Sequence, residues 1–186
     1  WRRLHGNVRH RRADRLEERD MNKMLNRRWL AGAMLTMSLL LAGCGGINKI
    51  LKSKDAAYKL RMAEQYFVKK KYTFAQTLYD DVRPNYVNSP VEFQDIYYKY
   101  AYCAWNQKDY LNAENLFKSF LERFPNSPKA EEMDYMRAYA FYKQSPKAEL
   151  DQTNTIKTIG MMQAFINNHP GSERIKEANN IIDICR

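Results

Sequence analysis

The chain has 186 residues and a formal net charge of +10, and its length fits a single domain. Residues 1–43 hold ten Lys and Arg against four Asp and Glu, so the remaining 143 residues have a net charge of only +4. This small, dispersed excess argues against a nucleic-acid partner, which needs clustered basic residues. The three cysteines, Cys44, Cys103 and Cys185, lack metal-ligand spacing and are too few for a disulfide framework.

Residues 1–20 form a basic extension that contains seven arginines and does not begin with methionine. We interpret it as either untranslated or disordered. Residues 21–43 have the order of a secretory signal, with a positive patch followed by a mostly apolar run over residues 29–41. A run of thirteen residues is shorter than the roughly 20 that a spanning helix needs. The sequence therefore predicts a signal peptide.

The signal ends in Leu41, Ala42, Gly43 and Cys44, a tetrapeptide that resembles the lipobox of bacterial lipoproteins. This resemblance implies that Cys44 carries a diacylglycerol group and an N-linked acyl chain, the only non-protein groups expected here. The alternative is an ordinary cysteine after an ordinary signal. Gly45 stands where aspartate favours the inner membrane, so we expect an anchor in the outer membrane, facing the periplasm. Residues 44–54 are then a lipidated tether, which we expect to be flexible.

From residue 55 the apolar residues have helical period, and the pattern repeats after 38 positions. The first block contributes Ala63, Tyr66, Tyr72, Ala75, Tyr79 and Val82, and the second contributes Ala101, Ala104, Tyr110, Ala113, Phe117 and Phe120. Small residues opposite each other let two helices approach closely. Thirteen tyrosines and only seven glycines also favour an all-α fold. The prediction is a solenoid of helical hairpins over residues 55–186.

The blocks end in similar proline-containing segments, around Pro90, Pro128 and Pro170. Proline ends one helix and starts the next, and Ser89 with Glu92 predicts a capping box. These signals predict seven helices, approximately at 54–69, 73–85, 90–107, 109–123, 128–143, 153–168 and 172–186, with a longer loop over 144–152. The last helix has no partner, so we expect it to expose Ile175, Ala178, Ile181 and Ile182.

The blocks resemble the tetratricopeptide repeat, and the second matches best, with Ala101, Tyr110, Ala113, Phe117, Phe120 and Pro125 on its key positions. About three and a half repeats are present. Two further features join the lipobox: the segment NAENLFKSFLERFPNSPKAEEMDYMRAYAFY, and the stretched third hairpin with Asp151, Gln152 and Thr153. Together they resemble the BamD family of outer-membrane assembly lipoproteins.

This resemblance implies a scaffold of the β-barrel assembly machinery that binds unfolded barrel precursors and partner subunits. Members with five repeats dock a BamA-like barrel subunit through C-terminal repeats, so that partner rests on the resemblance alone. The alternative is a periplasmic lipoprotein scaffold for envelope maintenance or DNA uptake. No catalytic constellation is found, so we do not expect an enzyme, and His169 before Pro170 is typical of a helix end.

Aromatic residues off the packing pattern are the candidate peptide-binding residues, and no metal site is predicted. They share the first helices of the hairpins, whose faces line the groove of such arrays: Phe67, Tyr98, Tyr102, Trp105, Tyr135, Tyr139 and Tyr142, with the polar Asn106 beside them as a further candidate. Aromatic faces beside Lys69 and Lys143 suit an extended peptide that ends in an aromatic residue and a carboxylate. The alternative is that these rings pack neighbouring hairpins together; Trp105 and Tyr139 are the two expected to be exposed.

Overall fold

A computed structural model describes residues 45–144 and 153–186 of the chain. The basic extension, the signal peptide, Cys44 and most of the loop predicted at 144–152 lie outside the described residues. Residues Ile50–Arg186 form one compact unit. No helix among the described residues is long and apolar enough to cross a membrane.

The described residues form eight α-helices and no strand, which confirms the predicted all-α fold. The helices are α1 (Gly45–Leu51), α2 (Ala56–Val68), α3 (Tyr72–Val82), α4 (Pro90–Asn106), α5 (Tyr110–Arg123), α6 (Ala130–Gln144), α7 (Thr153–Asn168) and α8 (Ile175–Cys185). A short 3₁₀ helix, Arg83–Tyr86, follows α3. The seven helices predicted for the repeats correspond to α2 to α8, and α7 has the predicted bounds.

The segment after residue 44 differs from the flexible tether expected, because Gly45–Leu51 is helical. Ile47, Ile50 and Leu51 recur at spacings of three and four positions, which favours a helix with one apolar side. This apolar spacing favours a helix more strongly than Gly45 and Gly46 disfavour it. The segment is therefore stiffer than its composition indicates.

Each helix from α2 to α7 packs against the next one along the chain, as stacked hairpins require. The aligned alanines lie at these contacts, and Ala63, Ala75, Ala101 and Ala113 have no exposed surface. Large rings, among them Phe117 and Phe120, fill the space beside them and are also fully buried. Small and large residues alternate across the helix pairs, which is the packing that the repeat pattern predicts.

The turns α2–α3 and α4–α5 share one geometry, with Lys70 and Lys108 in the left-handed region at φ of 57° and 63°. In the second turn, the Asp109 N–H donates to the Ala104 carbonyl at 3.1 Å and the Lys108 N–H donates to Trp105 at 2.9 Å. This is the Schellman arrangement, in which glycine usually takes the left-handed position. Both turns therefore hold a lysine in a conformation that disfavours side chains.

Replacing Lys108 by glycine is expected to raise the free energy of unfolding by about 0.5–1 kcal/mol, because relief of the left-handed strain outweighs the extra entropy of glycine in the unfolded chain. Urea denaturation followed by circular dichroism measures the change. Lys118→Gly, within α5, is the control and should destabilise by about 1 kcal/mol. A Lys108→Gly variant less stable than the parent would contradict this account of the turn.

The capping box predicted from Ser89 and Glu92 at the start of α4 is wrong. Ser89 stands before α4 but its side chain makes no capping hydrogen bond. Aspartates cap α2 and α5: Asp55 accepts from the Tyr58 N–H at 2.9 Å, and Asp109 accepts from the Asn112 N–H at 3.3 Å. Pro90 at the first position of α4 lacks an N–H, so one of the four donors that a helix start leaves unpaired is absent.

The last helix does not expose the apolar residues expected from the sequence. Ala178, Ile181 and Ile182 are buried and Ile175 is half-buried, because this narrow stripe packs against α7. The outer side of α8 carries exposed polar residues, including Lys176, Asn179 and Asn180. The apolar spacing of three and four positions was therefore the signal of a packed face.

Candidate functional site

Tyr98 and Tyr102, two of the predicted binding residues, lie half-buried where α4 meets α5 and α6. The Tyr98 ring is 6.5 Å from Phe120, and the Tyr102 ring is 5.7 Å from Phe117. Both hydroxyls donate to the carboxylate of Glu132 on α6, at 3.2 and 2.5 Å. These two tyrosines therefore join neighbouring hairpins, as the packing alternative expected.

Burial and Glu132 together keep these two tyrosines protonated. Burial, reinforced by the hydrogen bond to Glu132, raises the pKa of Tyr102. Burial and the negative charge of Glu132 likewise raise the pKa of Tyr98. Both hydroxyls therefore remain protonated and donate to Glu132.

Trp105, Tyr139 and Tyr142, which we call the aromatic strip, form a continuous row of half-buried rings on α4 and α6. The Trp105 ring is 5.3 Å from Tyr139, and the rings of Tyr139 and Tyr142 stack at 5.7 Å with only 12° between their planes. Trp105 also rests on Tyr110 at 5.1 Å. The strip is thus held from beneath while part of each ring reaches solvent, whereas the sequence led us to expect fuller exposure of Trp105 and Tyr139.

A cation accompanies the strip. The Lys143 Nζ lies 4.9 Å from the Tyr139 ring centroid and 5.6 Å from that of Tyr142. The neighbouring Tyr139 hydroxyl raises the pKa of Lys143, so its ammonium stays charged. Lys143 is exposed. Half-exposed rings beside a charged donor can take an aromatic side chain together with a carboxylate.

Tyr135 does not belong to this surface, although it shares the helical spacing of Tyr139 and Tyr142. Only 1% of Tyr135 is exposed. Its ring packs against Phe165 of α7 at 5.4 Å, and the Arg174 guanidinium lies 4.9 Å from the ring centroid. The hairpin that follows α6 covers this position, so the structure places Tyr135 in the core.

Phe67 and Asn106 occupy the ends of their helices. Phe67 is half-buried and packs within the first hairpin, against Tyr72 at 5.7 Å and Tyr79 at 6.3 Å. Asn106 is exposed, next to Trp105, and its Nδ2 donates to the Tyr102 carbonyl at 2.7 Å. The structure brings Asn106 to the aromatic strip and gives Phe67 a packing role.

A polar ladder joins the first helices of successive hairpins, and sequence reasoning missed it. Lys99 on α4 lies 2.6 Å from Glu64 on α2 and 2.7 Å from Asp95, and Asp95 also pairs with Lys129 at 3.1 Å. Burial alone would raise the pKa of Asp95, but hydrogen bonds from Lys99 and Lys129 hold it below its usual value. Partners between hairpins lie 34 or 35 positions apart, a signal that was available in the sequence.

His169 belongs to the same kind of contact, since its Nε2 lies 3.1 Å from the Asp134 Oδ2, also 35 positions away. No group of three or more His, Cys, Asp or Glu side chains in the described part of the chain could hold a metal ion. The predicted lipidation site, Cys44, and its neighbours Leu41, Ala42 and Gly43 lie outside that part.

Comparison with known proteins gives two matches. The model of the YfiO family, described as outer membrane lipoprotein, matches residues 52–186. A protein of Aquifex aeolicus described as an outer membrane protein assembly factor BamD is 25% identical over 136 residues, which cover 69% of this chain. The match spans 42% of the length of that relative.

Proposed function

Because the chain belongs to the YfiO family of outer membrane lipoproteins, we propose that it is a non-catalytic, lipid-anchored subunit of the machinery that assembles β-barrel proteins in the outer membrane. The anchor is the diacylglycerol and N-acyl chain on Cys44, and the solenoid faces the periplasm. The order of positive patch, apolar run and lipobox-like tetrapeptide supports this placement.

Within this role, the aromatic strip binds the unfolded precursors of barrel proteins. The observation that carries this proposal is the row of half-exposed rings, Trp105, Tyr139 and Tyr142, that ends at the charged Lys143. Such a surface accepts an extended segment that ends in an aromatic residue, with its carboxylate on the ammonium. A BamA-like barrel subunit is a further proposed partner and is supported by the family resemblance alone.

The double substitution Trp105→Ala with Tyr139→Ala is expected to weaken peptide binding about tenfold or more, since buried aromatic anchors dominate such interfaces. Fluorescence anisotropy of a labelled peptide that ends in phenylalanine with a free carboxylate measures the affinity. The matched control is Val91→Ala, an exposed apolar residue at the other end of α4, which should bind like the parent.

Lys143→Gln keeps the rings packed and separates binding from folding. This variant should lose the preference for the free carboxylate over the same peptide with a C-terminal amide, because only the carboxylate needs the ammonium. Equal affinity of the parent protein for the carboxylate peptide and the amide peptide would refute the aromatic strip as the site. Unchanged affinity after Trp105→Ala with Tyr139→Ala, in a variant whose circular dichroism spectrum is intact, would refute it as well.

A further inference from the structure

One edge of the solenoid, where α2 and α4 end and α3, α5 and α7 begin, gathers exposed cations. The turns are neighbours there: the Thr73 hydroxyl donates to Gln107 at 2.8 Å, and the Gln144 amide donates to the Tyr110 carbonyl at 3.3 Å. Asn154 in turn donates to the Gln144 carbonyl at 3.4 Å. Hydrogen bonds therefore connect the turns along this edge.

We call this surface the basic edge and define it by five exposed lysines: Lys69, Lys70, Lys71, Lys108 and Lys157. The ion pairs of the described residues are made by other cations, such as Lys59, Lys99 and Lys129. The carboxylate of Asp109, which also lies at this edge, accepts from the Asn112 N–H. Within the described residues, therefore, no ion pair neutralises the five lysines of the basic edge.

Exposed aliphatic side chains stand beside these lysines. Val68 is 77% exposed, Leu111 is 63% exposed and Ile156 is 68% exposed. Lys70 and Lys71 also line, with Tyr72, Thr73, Phe74 and Gln107, a cleft of about 440 Å³. Lysines interleaved with apolar side chains fit a partner surface whose outer layer is anionic and whose inner layer is apolar.

The opposite edge, where α4, α6 and α8 begin, carries charges of both signs. Exposed carboxylates such as Glu92, Glu131 and Glu173 lie at or near it beside the exposed Lys176, and Asp80 and Asp81 pair with Arg83 and Lys59. An anionic surface would meet carboxylates as well as cations there, whereas it would be attracted at the basic edge, where each lysine adds on the order of a fivefold gain in partitioning. The charges therefore favour contact between the basic edge and an anionic surface, and this contact gives the solenoid one orientation.

We infer that the basic edge, with Val68, Leu111 and Ile156, docks the solenoid onto the anionic phospholipid surface of the membrane that carries its anchor. This inference rests on the lipid anchor of the proposed function and adds an orientation to it. A phospholipid surface supplies both of the required partners, phosphates for the lysines and an apolar layer for the aliphatic tips.

The test uses the acylated protein in vesicles of phosphatidylethanolamine and phosphatidylglycerol that contain a lipid with a nitroxide on its head group. A fluorophore is attached at Leu111→Cys on the basic edge or at Val91→Cys on the opposite edge, both in a Cys185→Ser background. Cys103 is fully buried and burial raises its pKa to about 12, so it does not compete for the label. Val91 is 80% exposed, which makes it a matched control.

Quenching at position 111 and little at position 91 is the expected result. If the tether merely held the protein near the vesicle, quenching at position 91 would be no weaker than at position 111. The reason is that α2, which follows the tether, begins at the same edge as α4. Lys70, Lys71, Lys108 and Lys157 all changed to glutamine, or vesicles of phosphatidylcholine alone, should remove the difference. Lys118→Gln, on the exposed side of α5, should keep it.

Equal quenching at both positions, or none at position 111, would overturn membrane docking and leave an acidic protein segment as the partner of the basic edge. Flotation of the protein with the vesicles measures anchoring and is scored separately from quenching. Protein that fails to float with them contradicts the anchor, and protein that floats without quenching at position 111 contradicts only the docking surface.

Discussion

Replacing Phe117 by alanine is expected to lower the free energy of unfolding by about 3–5 kcal/mol. Phe117 has no exposed surface, and its ring lies 5.7 Å from Tyr102 and 6.3 Å from Trp105. The cavity would open beneath both rings, at the junction of α4, α5 and α6. Urea denaturation followed by circular dichroism at 222 nm, the helix signal, measures the change in the described solenoid.

Leu111→Ala on the same helix is the control for this prediction. Leu111 is 63% exposed, so its truncation should change stability by less than about 0.5 kcal/mol. A Phe117→Ala variant that also keeps near-parent stability would contradict the packing of this junction. Reduced peptide binding below the unfolding transition would further show that Phe117 positions Trp105.

Changing Cys44 to serine should abolish acylation and release the protein from the outer-membrane fraction. Each buried methylene of an acyl chain contributes about 0.8 kcal/mol, so two or three chains make an essentially permanent anchor. Serine presents a hydroxyl in place of the thiol that we propose as the acceptor of the diacylglyceryl group. Incorporation of labelled palmitate and fractionation of the envelope measure the two effects.

Cys185→Ser is the matched control, since it removes a half-buried thiol elsewhere and should keep both the label and the membrane location. Palmitate incorporation that survives Cys44→Ser would contradict the lipobox interpretation. Loss of the label without loss of the outer-membrane location would show that another contact, such as the basic edge, retains the protein.

The helices were predictable because their signals are local. Alanines at 63, 75, 101 and 113 marked the close contacts, and all four are fully buried. The stripe on α8 was misjudged because its covering neighbour, α7, follows a loop whose path the sequence does not give. Ser89 looked like a cap, but residue type alone does not fix the side-chain rotamer at a helix start.

The candidate site was only partly predictable. Helical spacing places Tyr135, Tyr139 and Tyr142 on one stripe, yet it does not tell which of them the next hairpin covers. Phe165 and Arg174 bury Tyr135, while Tyr139 and Tyr142 stay half-exposed. The commitment of Tyr98 and Tyr102 to Glu132 depends on a carboxylate some 30 positions away, beyond the reach of a periodicity argument.

The polar ladder has a consequence for how relatives of this protein vary in length. Its partners sit on equivalent turns of successive hairpins, as with Glu64 and Lys99 or Asp95 and Lys129. Duplication or loss of a whole hairpin preserves such pairings, whereas an insertion of a few residues within a helix rotates one partner away. We therefore expect natural length changes to come in whole hairpins, or in the loops between helices.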